Sequence, residues 1–245
     1  KNYMSFETPY NNLLLFHGLG TGKTCSSILV CEEMRKFFKQ FGISKKIIIL
    51  ASPNVQTNYK LQLFDERKLK KINGLWNLDA CTGNNFLNEI NPVKIKNLEK
   101  EIVIRQIKSL IRQYYVFYGP EQFSNFLDKL PKNSIKKRFS NRLIVIDEVH
   151  NLRTTGNDKK SITQNLYKLA ENTSNLKLLL LSATPMFNSP REIVWLLNLM
   201  NKNDKRTVIN EKDVFNKDDE LIVNEDGTEV GKNILIRKST GYVSY

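Results

Sequence analysis

The stretch that most constrains this chain is residues 13–24, LLLFHGLGTGKT, where a short apolar run ends in three alternating glycines followed by Lys23 and Thr24. Glycines at this spacing let the backbone curl so that several N–H groups point at one anion. Lys23 can reach the β- and γ-phosphates of a nucleotide, and the Thr24 hydroxyl can bind Mg²⁺. A helix that follows such a loop directs its positive end toward the same anion. The stretch therefore predicts a strand–loop–helix unit that binds nucleotide phosphates.

One position departs from the complete phosphate-loop pattern. That pattern has a glycine five residues before Gly22, and this chain has His17 there. The alternative is a glycine turn between a buried strand and a helix, without a ligand. The candidate nucleotide contacts are Gly18, Gly20, Thr21, Gly22, Lys23 and Thr24.

The length of 245 residues allows one large domain or two small ones. Hydrophobic residues make up 40% of the chain, which is enough for a substantial core. No apolar stretch approaches the length that spans a bilayer, and the start does not resemble a signal sequence, so we expect no membrane partner. Because the first residue is Lys1, we expect the chain to be a piece of a longer protein.

Cysteine and histidine usage predicts little metal or redox chemistry. Cys25, Cys31 and Cys81 show no Cys-x-x-Cys spacing, which indicates reduced thiols in an intracellular compartment, without a disulfide or a zinc cluster. The two histidines, His17 and His150, add few possible ligands. Mg²⁺ held by Thr24 and a carboxylate is the exception.

The net charge of +13 suits a polyanionic partner such as nucleic acid, because Lys and Arg release counterions from phosphate. The same Lys excess is also expected of a solvated surface, and charge alone does not decide between the two.

Predicted strands alternate with predicted helices along most of the chain. This order predicts an α/β fold: a mostly parallel sheet with helices on both faces. Short continuous apolar runs predict strands at 13–16, 47–51, 143–146 and 178–181, with weaker ones at 75–81 and 114–118. Helical spacing predicts helices at 24–41, 55–69, 99–112, 122–130, 161–171 and 190–200, with a basic connector at 131–142. Asn224-Glu225-Asp226-Gly227 predicts the turn of a β-hairpin between 221–223 and 230–236.

Polar segments follow three of the predicted strands, and in parallel sheets ligands bind at the carboxyl ends of strands. Asp147 and Glu148 end one strand, where Asp147 would hold Mg²⁺ and Glu148 would orient or deprotonate the attacking water. The alternative is a pair of solvated carboxylates that caps the next helix. Ser182 and Thr184 end another strand and could hydrogen-bond to Asp147 or His150, or they could form a helix cap.

Taken in order, Gly-Leu-Gly-Thr-Gly-Lys-Thr, Asp-Glu-Val-His at 147–150 and Ser-Ala-Thr-Pro at 182–185 resemble motifs I, II and III of superfamily-two helicases. The longer phrase at 180–193, LLSATPMFNSPREI, resembles the Swi/Snf-related branch. Thr8-Pro9-Tyr10, LLFHG at 14–18 and GYVSY at 241–245 are similar to the members of this branch in large cytoplasmic DNA viruses, which include poxvirus nucleoside triphosphatases and early transcription factor subunits.

The resemblance implies a RecA-like P-loop domain with ATP and Mg²⁺ as cofactors and nucleic acid, DNA or RNA, as partner. It implies that Lys23, Asp147 and Glu148 are catalytic and that Thr24 and Asp147 hold the metal. His150, Ser182 and Thr184 match the residues that couple nucleotide state to nucleic acid. By their place in the chain, the residues that match nucleic-acid contacts are Ser52, Pro53, Asn54, Thr82 and Gly83.

The resemblance also implies what this chain lacks. Family members pair two RecA-like domains, and the second carries a Gln-x-x-Gly-Arg-x-x-Arg helix that this sequence does not contain. An arginine finger contributes about 10³–10⁵ in rate to related enzymes. We therefore expect residues 1–203 to be the first RecA-like domain and residues 204–245 to be a hairpin and linker toward the second. Alone, the chain should hydrolyse ATP very slowly.

The expected setting is viral transcription or genome remodelling, in a virion or in the host cytoplasm, with the viral transcription machinery as a possible partner. The expected function is the first motor domain of an ATP-dependent helicase, or of a duplex translocase that never separates strands. The alternative from another class is a non-catalytic, nucleotide-gated module that binds nucleic acid in a transcription complex.

Overall fold

The computed structural model describes residue 4 and residues 8–18, 20–152, 157–186 and 189–244, with the side chains of 157–160 left out. Leu19, Phe187, Asn188 and Tyr245, which belong to the motifs quoted above, lie outside the described residues.

A parallel sheet forms the centre of the molecule. Within the described residues it has six strands, in the order β5-β2-β6-β7-β1-β8. The inner strands β2, β6 and β7 are buried along their whole length, as their continuous apolar sequences predict. The strands are β1 (Asn12–Phe16), β2 (Ile47–Leu50), β5 (Tyr115–Tyr118), β6 (Leu143–Ile146), β7 (Lys177–Ser182) and β8 (Val243–Ser244). A separate antiparallel pair consists of β3 (Leu69–Ile72) and β4 (Leu75–Leu78).

Helices cover both faces of the sheet, and each face has its own hydrophobic core. One face packs on α1 (Lys23–Gln40), α2 (Pro53–Leu63), α3 (Asn85–Ile90) and α4 (Lys100–Tyr114). The other packs on α5 (Pro120–Asp128), α6 (Lys132–Phe139), α7 (Asn157–Asn172) and α8 (Glu192–Asn203). The predicted fold class is confirmed. Within the described residues, no helix combines the length and apolar character needed to cross a bilayer.

Two predicted elements are wrong. The basic connector at 131–142 contains a helix, α6, because Ile135 and Phe139 lie on its buried side. The predicted hairpin between 221–223 and 230–236 does not form. Its turn is present, with Asn224 N–H donating to the Thr228 carbonyl at 2.9 Å.

The second arm of the predicted hairpin is a helix, α9 (Val230–Ser239). Ile222 N–H donates to the Val214 carbonyl, and Gly231 N–H donates to the Ile222 carbonyl. Only glycine fits at 231, because a Cβ there would lie 2.2 Å from the Val214 carbonyl oxygen. Ile222 therefore pairs with Val214 and with the first turn of α9. After α9 the chain returns to the sheet as β8, beside β1.

The absence of a disulfide was also predicted wrongly, since Cys25 and Cys81 form one. Cys25 lies in the first turn of α1 and Cys81 in the loop after β4, with their Cα atoms 5.4 Å apart. The two cysteines are 56 residues apart in the chain, so spacing rules based on short Cys-x-x-Cys motifs could not reveal the pair.

A buried ion network ties α1 to α3 and β5. The Arg35 guanidinium donates to the Glu32 carboxylate at 2.8 Å and to Glu89 at 2.6 Å. The Tyr115 hydroxyl donates to the other oxygen of Glu32 at 2.6 Å. Arg35 and Glu32 are each almost completely buried. Removing one partner would leave an uncompensated charge inside the core.

We predict that Arg35→Met lowers the free energy of unfolding by about 3–5 kcal/mol, because Glu32 then loses its buried cation. The exposed neighbouring pair Lys36–Glu33 supplies the control, and Lys36→Met should cost less than about 1 kcal/mol. Urea titration of both variants measures the difference. Equal losses in the two variants would contradict the assignment of the network as a structural anchor.

For the disulfide, we predict that Cys81→Ser lowers the free energy of unfolding by about 4 kcal/mol under non-reducing conditions, by the chain-entropy estimate for a loop of this length. With a thiol reductant present, the free energies of unfolding of the variant and the wild-type chain should become nearly equal. A wild-type chain whose stability is unchanged by reductant would show that the bond contributes nothing.

Candidate functional site

The glycine loop connects the end of β1 to the start of α1. Gly20 and Gly22 have φ values of 77° and 82°, in the left-handed region that favours glycine. Gly22 is the N-cap of α1, and its carbonyl accepts the first helical hydrogen bond, from Ser26. The Thr21 hydroxyl donates to the Gly18 carbonyl at 2.8 Å and closes the loop. The described loop residues Gly18 and 20–22 are exposed, and the first N–H groups of the 18-residue α1 have no partner within the helix, as an anion site requires.

Lys23 lies folded back beneath this loop. Its ammonium group donates to the His17 and Gly18 carbonyls, each at 2.9 Å, and the residue is buried. His17, at the position where the full motif has glycine, thus contributes its backbone carbonyl. A phosphate that enters the loop would compete with these two carbonyls for the Lys23 ammonium group, which has three N–H donors.

Asp147 and Glu148 follow β6 at the same carboxyl edge of the sheet. Asp147 N–H donates to the Leu50 carbonyl at 3.0 Å, and Glu148 N–H donates to Asp147 Oδ1 at 2.9 Å. Glu148 has a left-handed φ of 50°, a conformation that a residue with a side chain rarely adopts. Burial, together with the neighbouring Glu148 charge, raises the pKa of Asp147 to about 6. The positive charge of Lys23 partly offsets this rise, so Lys23 and Asp147 lie within electrostatic reach of each other.

These residues fit a divalent cation. Glu148 Oε2 is buried and accepts no hydrogen bond from the described residues, and Asp147 is buried with too little counter-charge. The Thr24 hydroxyl lies one residue beyond Lys23, in the first turn of α1. The described residues contain no group of three or more His, Cys, Asp or Glu that could hold a metal ion. The Asp147 and Glu148 carboxylates and the Thr24 hydroxyl instead suit Mg²⁺, which is commonly bound by one or two carboxylates together with substrate phosphates.

A polar chain connects Glu148 with the end of β7. His150 Nδ1 lies 3.2 Å from Glu148 Oε2 and 3.0 Å from Ser182 Oγ. Ser182 Oγ in turn accepts the N–H of Thr184 at 3.1 Å. The three predicted coupling residues are therefore contiguous. A change at the acid can reach the loop after β7 through this chain.

The predicted nucleic-acid contacts separate into two groups. Ser52, Pro53 and Asn54 are exposed at the end of β2, where they start α2. Thr82 is buried, and its hydroxyl donates to the Leu63 carbonyl at 3.3 Å, so that side chain serves the fold. Gly83 is half-buried, with a φ of 50°.

Sequence reasoning missed a buried polar group under the site. The Tyr59 hydroxyl lies 2.9 Å from Ser27 Oγ and 3.7 Å from Cys31 Sγ. Burial raises the pKa of Tyr59, and the nearby charge of Asp147 contributes to the rise. The sequence around Tyr59 indicates only a buried position on a helix, and no local pattern predicts its contact with α1.

The chain also matches known sequences. The SNF2-related domain family matches residues 2–233. A protein named "Putative helicase 087L" from Invertebrate iridescent virus 3 is 32% identical over 207 residues, which make up 81% of this chain and 19% of that protein. The "Early transcription factor 70 kDa subunit" of Fowlpox virus (strain NVSL) is 29% identical over 234 residues, 94% of this chain and 29% of that protein. The chain thus spans between a fifth and a third of the length of these relatives.

We predict that Asp147→Asn stabilises the chain by about 1–3 kcal/mol at pH 7.5 without Mg²⁺, because a buried charge is removed. The raised pKa means that the native state binds this proton more tightly than the unfolded state. The contribution of Asp147 to stability therefore falls as pH rises from about 4 to about 6. The difference in free energy of unfolding between Asp147→Asn and the wild-type chain should vanish near pH 4 and reach its full size above pH 6.

Urea titrations at both pH values measure this effect, with the exposed Asp128→Asn as the matched control. An advantage of equal size at pH 4 and pH 7.5 would refute the assignment to Asp147 ionisation.

Proposed function

We infer that this chain, which belongs to the SNF2-related domain family, is the nucleotide-binding half of a nucleic-acid-dependent ATPase motor. The observation that carries the inference is the placement of two groups at one edge of the sheet: Lys23 begins α1 directly after the glycine loop, and Asp147 follows β6, near enough for the Lys23 charge to offset part of the rise in the Asp147 pKa. A phosphate cradle and a metal-binding carboxylate at one sheet edge are the two parts that such chemistry needs.

We propose that Lys23 leaves the His17 and Gly18 carbonyls when a triphosphate enters the loop. The N–H groups at the start of α1 and the flanking glycine loop would receive the phosphate oxygens. Thr24 and Asp147 would hold Mg²⁺, which when bound neutralises charge on the β- and γ-phosphate oxygens. The Asp147 carboxylate gains a counter-charge in this state, so its unfavourable burial favours binding of the cation.

Glu148 is the proposed general base. Its unsatisfied buried oxygen is available to accept a proton from a water molecule that attacks the γ-phosphorus. His150 lies between this oxygen and Ser182, so protonation of Glu148 would alter the hydrogen bonding at the end of β7. That gives His150, Ser182 and Thr184 a physical route for coupling nucleotide state to the loop after β7.

The proposed nucleic-acid contact is the exposed start of α2. Ser52, Pro53 and Asn54 lie at a helix N-terminus on the same sheet edge, where backbone N–H groups can bind a phosphodiester. The net charge of +13 supports a polyanionic partner. We retain Gly83 as a second contact and omit the buried Thr82.

Full activity is proposed to need a second RecA-like domain in the parent protein, which would supply the arginines for the transition state. The relatives from Fowlpox virus and Invertebrate iridescent virus 3 support a role in viral transcription or genome remodelling, in a virion or the infected cytoplasm.

We predict that Lys23→Ala weakens binding of a fluorescent ATP analogue with Mg²⁺ at least tenfold. Glu148→Gln should keep that affinity within about threefold, because it preserves the shape of the side chain. The exposed Lys36→Ala serves as the control for charge loss. Fluorescence titration of the 245-residue chain measures all three. A Lys23→Ala variant that binds like the wild-type chain would refute the phosphate-loop assignment.

A measurement of ATP hydrolysis distinguishes the proposed motor from a non-catalytic, nucleotide-gated binding module. The chain alone, with saturating DNA or RNA, should hydrolyse well below one ATP per second. Glu148→Gln should abolish this remaining hydrolysis. In the parent protein, Glu148→Gln should remove nucleic-acid-stimulated turnover altogether. A parent protein that functions normally with Glu148→Gln would favour the non-catalytic module.

A further inference from the structure

The outer strand of the sheet, β5, has an open hydrogen-bonding edge. Ala51 N–H donates to the Tyr118 carbonyl at 3.1 Å, which directs the backbone polar groups of Tyr118 toward β2. Since these directions alternate along a strand in a parallel sheet, the N–H and C=O of Phe117 and the C=O of Tyr115 point outward. No hydrogen bond from the described residues reaches these three groups. Within the described part of the chain, these groups are therefore open to solvent or to another polypeptide segment.

A cleft of about 590 Å³ lies against this edge, between α2 and α4. Phe64, Ile111 and Phe117 form an apolar part of its lining. The volume lies within the range of clefts that bind ligands. An incoming strand could therefore insert one apolar side chain while its backbone pairs with β5.

The rim of the cleft is cationic. Lys46, Lys60, Lys108 and Arg112 line it, and no acidic residue does. Lys108 pairs with Glu66 at 2.7 Å, whereas the Arg112 side chain has no hydrogen-bond or ion-pair partner among the described residues. Lys60 lies 4.9 Å from the centre of the Phe117 ring, over the apolar floor. Positive charge that is only partly neutralised attracts an acidic occupant.

We propose that the open edge of β5 and this cleft form a docking site for an extended, acidic segment of a partner protein. The segment adds to β5 as a further strand, places an apolar side chain in the cleft, and presents flanking Asp or Glu residues to Lys60 and Arg112. A nucleic-acid strand fits less well, because the outward carbonyls of Tyr115 and Phe117 need hydrogen-bond donors, and a phosphodiester backbone has none.

This site is independent of the nucleotide chemistry. It lies on the outer edge of the sheet, and none of its residues belongs to the glycine loop, to the acids after β6 or to the start of α2. A failure here would leave the proposed motor function untouched.

The test uses a fluorescein-labelled octapeptide of alternating Glu and Val, titrated into the 245-residue chain and followed by fluorescence anisotropy. The double charge reversal Lys60→Glu with Arg112→Glu should weaken binding at least tenfold. The matched control, Arg105→Glu with Lys132→Glu, makes the same change in net charge at exposed positions outside the cleft and should change the affinity less than threefold. Thermal unfolding and nucleotide affinity check that both variants fold.

A second probe isolates the backbone contribution. The same octapeptide with N-methylated amides keeps its charge but cannot donate to the β5 carbonyls, and it should bind at least tenfold more weakly. Undetectable binding of the parent peptide overturns the proposal, and so does equal binding of the methylated one. A labelled (dT)₁₀ strand that loses more affinity than the peptide in the Lys60→Glu, Arg112→Glu variant would identify the cleft as a nucleic-acid site, and would also overturn it.

Discussion

The burial of the central strands on both faces is the constraint on which the site depends. Because β2 and β6 are apolar throughout and β7 is apolar between Lys177 and Ser182, the three strands run parallel inside the molecule, and polar groups follow them at the carboxyl edge. Asp147 and Ser182 reach the site by this route. The position of these two residues is thus set by the strands that form the hydrophobic core.

Local patterns predicted five of the six described strands of the parallel sheet, most helices and the carboxyl-edge position of Asp147 and Ser182, since each of these follows from residues that are neighbours in the chain. Long-range contacts decided the rest. The Cys25–Cys81 bond, the Tyr59–Ser27 pair and the packing of Gly231 on Val214 each join segments at least 17 residues apart. Periodicity in a single sequence contains no information about such pairs. Thr82 shows the same limit, because only the position of the Leu63 carbonyl reveals that its hydroxyl is already used.

Membership of the SNF2-related domain family agrees with this picture, since the motif residues are those that the sheet edge collects. The structure adds the contacts of the site residues. Lys23 is bound to two carbonyls, and Asp147 is buried beside Glu148. Under the proposed function, a polyphosphate would compete for the Lys23 ammonium group, and a cation would neutralise the Asp147 carboxylate.

The left-handed backbone at Glu148 has a further consequence for protein engineering. Glycine or asparagine would adopt this φ at a lower cost, by about 1 kcal/mol. A search for thermostable variants that scores backbone compatibility alone would select one of them, and would thereby delete the carboxylate that we propose as the general base. Stabilising libraries for this domain should keep position 148 fixed and seek their gains on surfaces away from the sheet edge.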